Sequence, residues 1–428
     1  MLVNPLPQVV GDDRILSVTR SGLNHSGTHL MSNATRIFAV GDVAVNRPQP
    51  DSIFELVHEK IAGADYAFAQ IEAIYSTLGE VNVSGTSSPL RGDPENVAAI
   101  ARAGFNLASF ASNHCMDYGI DAFKDTIKHF RDNDVHLFGA GNNLAEARKP
   151  VIVEHNGNRI GWLAYCSILP IRYWADVDRP GCAPARARTL YETLEPDQPG
   201  TPPRILTYPH DDDAANIVED IRKLKAQVDV VIVSMHWGLH FREGELATYE
   251  LKYARLAIDA GADVILGHHQ HILKPVEIYK GKPIFYGMAN FAFDMYYQPG
   301  ELDKPERIER RQRLHPGWTH DPSYPTFPFP VDSRKGMAVF IDVEDRAVSR
   351  VCWQPVMINQ KSQPRLLCQA DPAFGEVLAY MRKITLSQKI QTRFEVDGDT
   401  VVSLNPNGAP ETPEPPERAA AAEAAVVA

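Results

Sequence analysis

From Thr35 onward the chain alternates two hydrophobic patterns. Short continuous apolar runs mark buried strands, and stretches with an apolar residue every three or four positions mark amphipathic helices. Arg36–Val40 is a run of strand formers stopped by Gly41-Asp42, and Ser52–Ala62 sets Ile53, Phe54, Leu56, Val57 and Ile61 at helical spacing. The same patterns predict a strand at Tyr66–Ile71, a helix at Pro94–Ala103, a strand at Asn106–Ala111, a helix over Ile120–Arg131 and a short strand near Val135–Phe138. Strands and helices that alternate in units of this length predict an α/β core.

The middle of the chain adds hairpins. Val151–Glu154 and Arg159–Cys166 flank an Asn156-Gly157 pair, and Val276–Tyr279 and Pro283–Tyr286 flank Lys280-Gly281-Lys282. Asn-Gly between strand-like runs is a strong turn signal, because both central residues of the favoured turn need a positive φ. Between the hairpins lie a helix at Ala214–Gln227, a buried-type strand at Val228–Met235, a helix at Leu246–Ala260 and a strand at Asp263–Leu266. Met337–Asp342 and Ser349–Gln354 read as the last strands. The expected organisation is an extension over residues 1–34, a core over 35–404 and a disordered Pro-, Glu- and Ala-rich tail over 405–428. An insertion at 298–334 is too long for an idle connector. Its aromatics (Tyr296-Tyr297 at its edge, Trp318 to Phe329 within) suit either a closing lid or packing of the insertion onto the core.

Composition narrows the class. The 43 Lys and Arg against 54 Asp and Glu give a formal net charge of −11, which argues against a nucleic-acid partner. Five scattered cysteines without a CxxC pair argue against a disulfide scaffold or a cysteine zinc site. With no apolar leader and no long apolar run, the reading is a cytoplasmic protein without a membrane segment.

The chemistry sits where the strands end. Asp42 follows RIFAV, Glu72 follows YAFAQI, Asn113-His114 follow LASFAS, His236 closes VVIVSM, and His269 and His271 follow VILG. Ligand sites in parallel α/β sheets form at the carboxyl ends of strands. Carboxylates, imidazoles and one amide converging there suit a pair of divalent cations such as Mn, Fe or Zn. Strand alternation would set His269 and His271 on one side. Taken singly, Asp42, Asn113 and His114 are ordinary turn residues, whereas three imidazoles within His268–His271 have no packing reason.

In order, the motifs GD, Gln70-Ile71-Glu72, SNH with Asp117, HWG, GHHQH and Tyr286–Phe291 resemble the CapA family. These are poly-γ-glutamate capsule synthesis proteins of the calcineurin-like metallophosphoesterase superfamily. The resemblance implies a four-layered α/β/β/α metallophosphatase-like sandwich and a hydrolase in which a hydroxide shared by two cations attacks an amide of γ-glutamyl type or a phosphoester. It implies Asp42 and His271 on the first cation, Glu72 bridging, Asn113, His236 and His269 on the second, and His114 as the acid. Asp117, His268 and Asn290 would support these groups from behind.

Ala44 stands where the wider superfamily has a histidine ligand, and His240 and Gln270 stand where the family carries glutamate and proline. His240 and Gln270 are therefore expected at the substrate, a small or polymeric anion. Arg91, just before a helix, is a further candidate for that anion. Glu306–Arg313 reads either as an exposed helical face or as a source of Arg for a phosphate or carboxylate. The alternative to an enzyme is a non-catalytic accessory protein of capsule polymer synthesis or export.

Overall fold

The computed structural model describes residues 34–83, 85, 88–295, 303–314 and 318–404. The expected N-terminal extension up to residue 33, the C-terminal tail and Tyr296-Tyr297 lie outside the described residues.

The principal elements begin with β1 (Thr35–Ala44), β2 (Tyr66–Ile71), α1 (Glu95–Ala103), β3 (Leu107–Ser109), α2 (Gly119–Asp132) and β4 (His136–Phe138). The hairpin of β5 (Val151–His155) and β6 (Asn158–Cys166) precedes α3 (Asp211–Lys225), β7 (Val230–His236), α4 (Thr248–Ala260) and β8 (Val264–His268). A second hairpin, β9 (Val276–Tyr279) and β10 (Lys282–Phe285), leads to β11 (Asn290–Phe293) and to α5 (Pro305–Leu314) in the insertion. The chain continues with β12 (Lys335–Glu344), β13 (Ala347–Ile358), α6 (Pro372–Ser387), β14 (Arg393–Asp397) and β15 (Thr400–Leu404).

Two large sheets result. The first runs β14-β15-β13-β12-β1-β2-β3-β4 with β11 beside β1, and the second runs β9-β10-β8-β7-β6-β5. β1 to β4 are mutually parallel, as are β6, β7, β8 and β10. The sheets face each other across an aromatic layer in which Phe68 stacks on Trp162, with ring centroids 5.1 Å apart. α2 closes the far side of the first sheet, Phe123 stacking on Phe110 at 5.7 Å. α3 and α4 cover the second, burying Ile217, Ile221, Tyr253 and Ala254 with Leu163, Val231 and Val233. The layers are α/β/β/α, as expected. Because both faces of the inner strands are covered, every residue of β2 and β7 is buried, which explains their unbroken apolar runs.

Both hairpin turns form as read. Asn156 and Gly157 have φ of 51° and 78°, and Lys280 and Gly281 have φ of 50° and 77°. Three expectations change. β1 does not stop at Gly41-Asp42 but runs on to Ala44, because parallel pairing with β11 and a bond from the Asp42 amide to the Ala289 carbonyl (3.0 Å) extend it. The helix expected over Ser52–Ala62 divides into a 3₁₀ turn at Pro50–Phe54 and a short helix at His58–Ala62. Ile53, Phe54, Val57 and Ile61 are still buried, but Leu56 is 49% exposed. α6 and the β14–β15 hairpin have no counterpart in the sequence reading. α6 starts on a clear signal all the same, Asp371 accepting from the Ala373 amide at 2.9 Å ahead of Pro372.

Candidate metal centre

The parallel strands deliver their carboxyl ends to one rim between the sheets. Asp42 comes from β1, Glu72 from the residue after β2, and Asn113 and His114 from the turn after β3. β7 supplies His236, and the bend after β8 supplies His269 and His271. All seven are buried. Two groups of donors form, Asp42 with Glu72 and His271, and Glu72 with His236 and His269. Within each group the donor atoms lie within 4.8 Å of one another.

Glu72 belongs to both groups. Its Oε1 is 3.6 Å from His236 Nε2 and 3.8 Å from His271 Nε2. On one side His271 Nδ1 lies 3.6 Å from Asp42 Oδ2, and on the other Asn113 Oδ1 is 2.6 Å from His236 Nε2 and 3.2 Å from His269 Nδ1.

The electrostatics fit cations. Burial and the neighbouring Asp42 carboxylate push the Glu72 carboxyl well above its usual range. Burial first, then neighbouring imidazoles, hold His236 and His269 well below the usual histidine range, and burial lowers His271. The imidazoles are thus neutral, with lone pairs available to a metal. Asp42 Oδ1, both Glu72 oxygens and His236 Nδ1 are buried without a hydrogen-bond partner. Such orphaned atoms are rare in folded proteins. Two acidic groups this deeply buried keep their charges only with positive charge between them. Oxygen and imidazole donors of this number suit divalent cations.

Behind the donors, Asn290 Oδ1 meets His271 Nδ1 at 2.8 Å. His268 is closer in than expected. Its Nδ1 lies 3.6 Å from Asp42 Oδ1, and neither ring nitrogen has a hydrogen-bond partner. His114 presents Nδ1 to Asp117 Oδ2 at 2.6 Å and turns Nε2 to within 4.0 Å of Glu72 Oε1. Asp117 also accepts from the Tyr173 hydroxyl (2.9 Å) and the Leu90 amide (2.7 Å). The rim opens into a cavity of about 330 Å³ lined by Asn113, His114, His240 and His271. The exposed His240 lies against His269, with ring centroids 3.9 Å apart and the planes tilted by 31°.

Two expected substrate contacts are not at this cavity. Gln270 is buried on the other side of its bend, donating to the Tyr286 carbonyl (2.9 Å) and to Glu250 (3.3 Å). Arg91 lies over the Tyr118 ring, 3.5 Å from its centroid, and bonds the carbonyls of Leu78 and Gly79. A local loop and the Tyr118 ring therefore hold its guanidinium away from the cavity. The reason for the shared side of His269 and His271 also differs from expectation. β8 ends at His268, and His269 and His271 carry positive φ of 94° and 55°, so a left-handed bend rather than strand alternation aims them. Sequence reasoning missed Tyr173, which braces Asp117, and Phe241, whose ring lies 5.6 Å from His271; neither sits in a motif. Phe329, read among the insertion's aromatics, lies 4.8 Å from His271. Cys115, adjacent to His114, is buried with its thiol pushed up by that burial, so it is a poor nucleophile.

Residues 36–295 match the family model described as bacterial capsule synthesis protein PGA_cap. The chain is similar to the PGA biosynthesis protein CapA of Bacillus subtilis, 28% identical over 264 residues that make up 60% of this chain and 62% of that one. A Mycobacterium tuberculosis protein named "Probable polyglutamine synthesis accessory protein" is 32% identical over 205 residues, 47% of this chain and 48% of its own. The chain thus spans less than two thirds of the length of these relatives. Among solved structures, one described as a "Putative 5'-Nucleotidase" from Staphylococcus aureus aligns with a TM-score of 0.40 at 11% identity, covering 82% of this chain and 58% of that one.

Proposed function

The chain belongs to the bacterial capsule synthesis protein family, and on that premise we propose that it is a di-metal hydrolase acting on an anionic substrate, cutting an amide of γ-glutamyl type in preference to a phosphoester. The observation that carries the reading is the shared Glu72, which joins two buried donor groups beside an open cavity. Asp42, Glu72 and His271, with His268 beside them, would hold one cation. Glu72, Asn113, His236 and His269 would hold the other. When bound, two divalent cations supply Lewis acidity, activating water near neutral pH and neutralising charge on the oxygen under attack.

The chain's own groups do the rest. Asp117 accepts the Nδ1–H of His114, which leaves Nε2 to face the cavity and to carry the transferable proton in the imidazolium form of the ring. That position suits a general acid for the departing amine or alcohol. Phe241, Phe293 and Phe329 form an apolar wall that thins water around the reacting bond. The preference for an amide rests on relatives named for PGA biosynthesis and polyglutamine synthesis.

The test combines metal analysis with turnover of γ-glutamyl anilide and of bis(p-nitrophenyl) phosphate. The expected result is about two equivalents of metal and faster cleavage of the anilide. In His114→Ala, kcat falls by about 10²- to 10⁴-fold with metal content unchanged. A metal-loaded protein that cleaves neither compound would overturn the reading. It would favour the second one, a non-catalytic accessory role, which the name of the mycobacterial relative supports.

A further inference from the structure

Part of the cavity wall is cationic. Arg307, Arg310 and Arg311 of α5 line the same space as His114 and His240. Their i, i+3, i+4 spacing sets them on one helical face. No Asp or Glu is among the described lining residues, in a chain whose net charge is −11. The cluster is therefore a local feature and not a reflection of a basic surface. α5 is held in place from its own side chains: Arg311 donates to the Pro328 carbonyl at 2.6 Å and lies 4.8 Å from the centroid of the buried Trp318 ring. The helix lies beyond residue 295, where the family match ends.

We propose that Arg307 and Arg310 form a carboxylate-binding subsite that selects substrates bearing an anionic group close to the bond presented at His114. This rests on the reading above that the cavity receives an anionic substrate, but not on that substrate being cut. A guanidinium matches a carboxylate with two parallel N–H donors, and the apolar wall lowers the local dielectric and strengthens that bond. A cavity of about 330 Å³ is at the small end of ligand sites, so the recognised charge belongs to a unit next to the reacting bond. Arg311 holds the helix through Pro328 and Trp318, and Arg307 and Arg310 line the cavity beside it.

Calorimetry on the full Mn-loaded chain tests this with tri-γ-glutamate and with the same trimer carrying amidated side carboxyls. The charged trimer should bind at least about tenfold more tightly than the amidated one, as one charge-assisted bond allows. In the Arg307→Gln/Arg310→Gln variant that advantage should vanish, with metal content and melting temperature unchanged. Equal binding of the two trimers, or an unchanged advantage in the variant, would overturn the subsite. So would phenyl phosphate binding more tightly than the charged trimer with the same arginine dependence, which would assign the wall to phosphate. Arginine-dependent binding without cleavage would leave the subsite standing and remove the hydrolase.

Discussion

Among the described residues, three donors converge on Asp117: the His114 ring at 2.6 Å, the Tyr173 hydroxyl at 2.9 Å and the Leu90 amide at 2.7 Å. A buried carboxylate so fully bonded cannot rotate, and it fixes both the tautomer and the aim of the imidazole. Asp117→Asn keeps the shape but can offer an N–H where His114 needs an acceptor. Its kcat on γ-glutamyl anilide should fall by about tenfold to a hundredfold, with KM and bound metal unchanged. Tyr173→Phe, which removes only one of the three bonds, should lose less. Steady-state kinetics alongside metal analysis check both. A variant that loses metal instead would place Asp117 in the cation sites and not behind the acid.

Among the elements, two turns need a positive φ for different ends. Gly157 closes the β5–β6 hairpin at φ 78°, and a Cβ there would meet nothing within 4 Å. Gly238 follows β7 at φ 89°, and a Cβ there would lie 2.5 Å from both Gln270 Nε2 and Glu250 Oε1. Gly157→Ala carries only the left-handed backbone penalty, about 1–2 kcal/mol in denaturant unfolding, and should leave metal affinity intact. Gly238→Ala adds a clash beside the strand end that presents His236, and it also presses on the bend carrying His269 and His271. It should lose more stability and bind metal more weakly. Denaturant titration with and without Mn separates the two. Equal effects would mean that the bend after β8 does not depend on its packing against the loop after β7.

Across the whole molecule, both sheets contribute donors to the same rim. Asp42 and Glu72 arise on the first sheet, and His236, His269 and His271 on the second. A cation held between them therefore ties the sheets together and binds only the folded chain. Removal of metal with EDTA should lower the melting temperature by several degrees, because a ligand at a hundred times its dissociation constant stabilises by about 2.7 kcal/mol. Adding Mn back should restore it. The same cycle on Glu72→Gln should show little response, since the shared carboxylate is lost from both groups. Thermal denaturation followed by circular dichroism reads this directly.

The candidate donors could be picked out in the chain because each follows a strand whose apolar run is unmistakable, and parallel strands bring their carboxyl ends to one rim. Periodicity likewise determined the α/β alternation and both glycine hairpins, since hydrophobic burial and turn sterics act within a few residues. Side-chain direction beyond a strand end is different. Gln270 and Arg91 turned away because Glu250, Tyr286 and the loop at Leu78-Gly79 offered partners that are distant or unpatterned in sequence. Tyr173 reached Asp117 across 56 positions, and α5 brought its arginines to His114 from nearly 200 positions further on. Local patterning determined which residues could do chemistry. Only the packing of the two sheets and the insertion decided which of them meet, because contacts between distant segments are set by the shape of the whole core and leave no periodic trace in the chain.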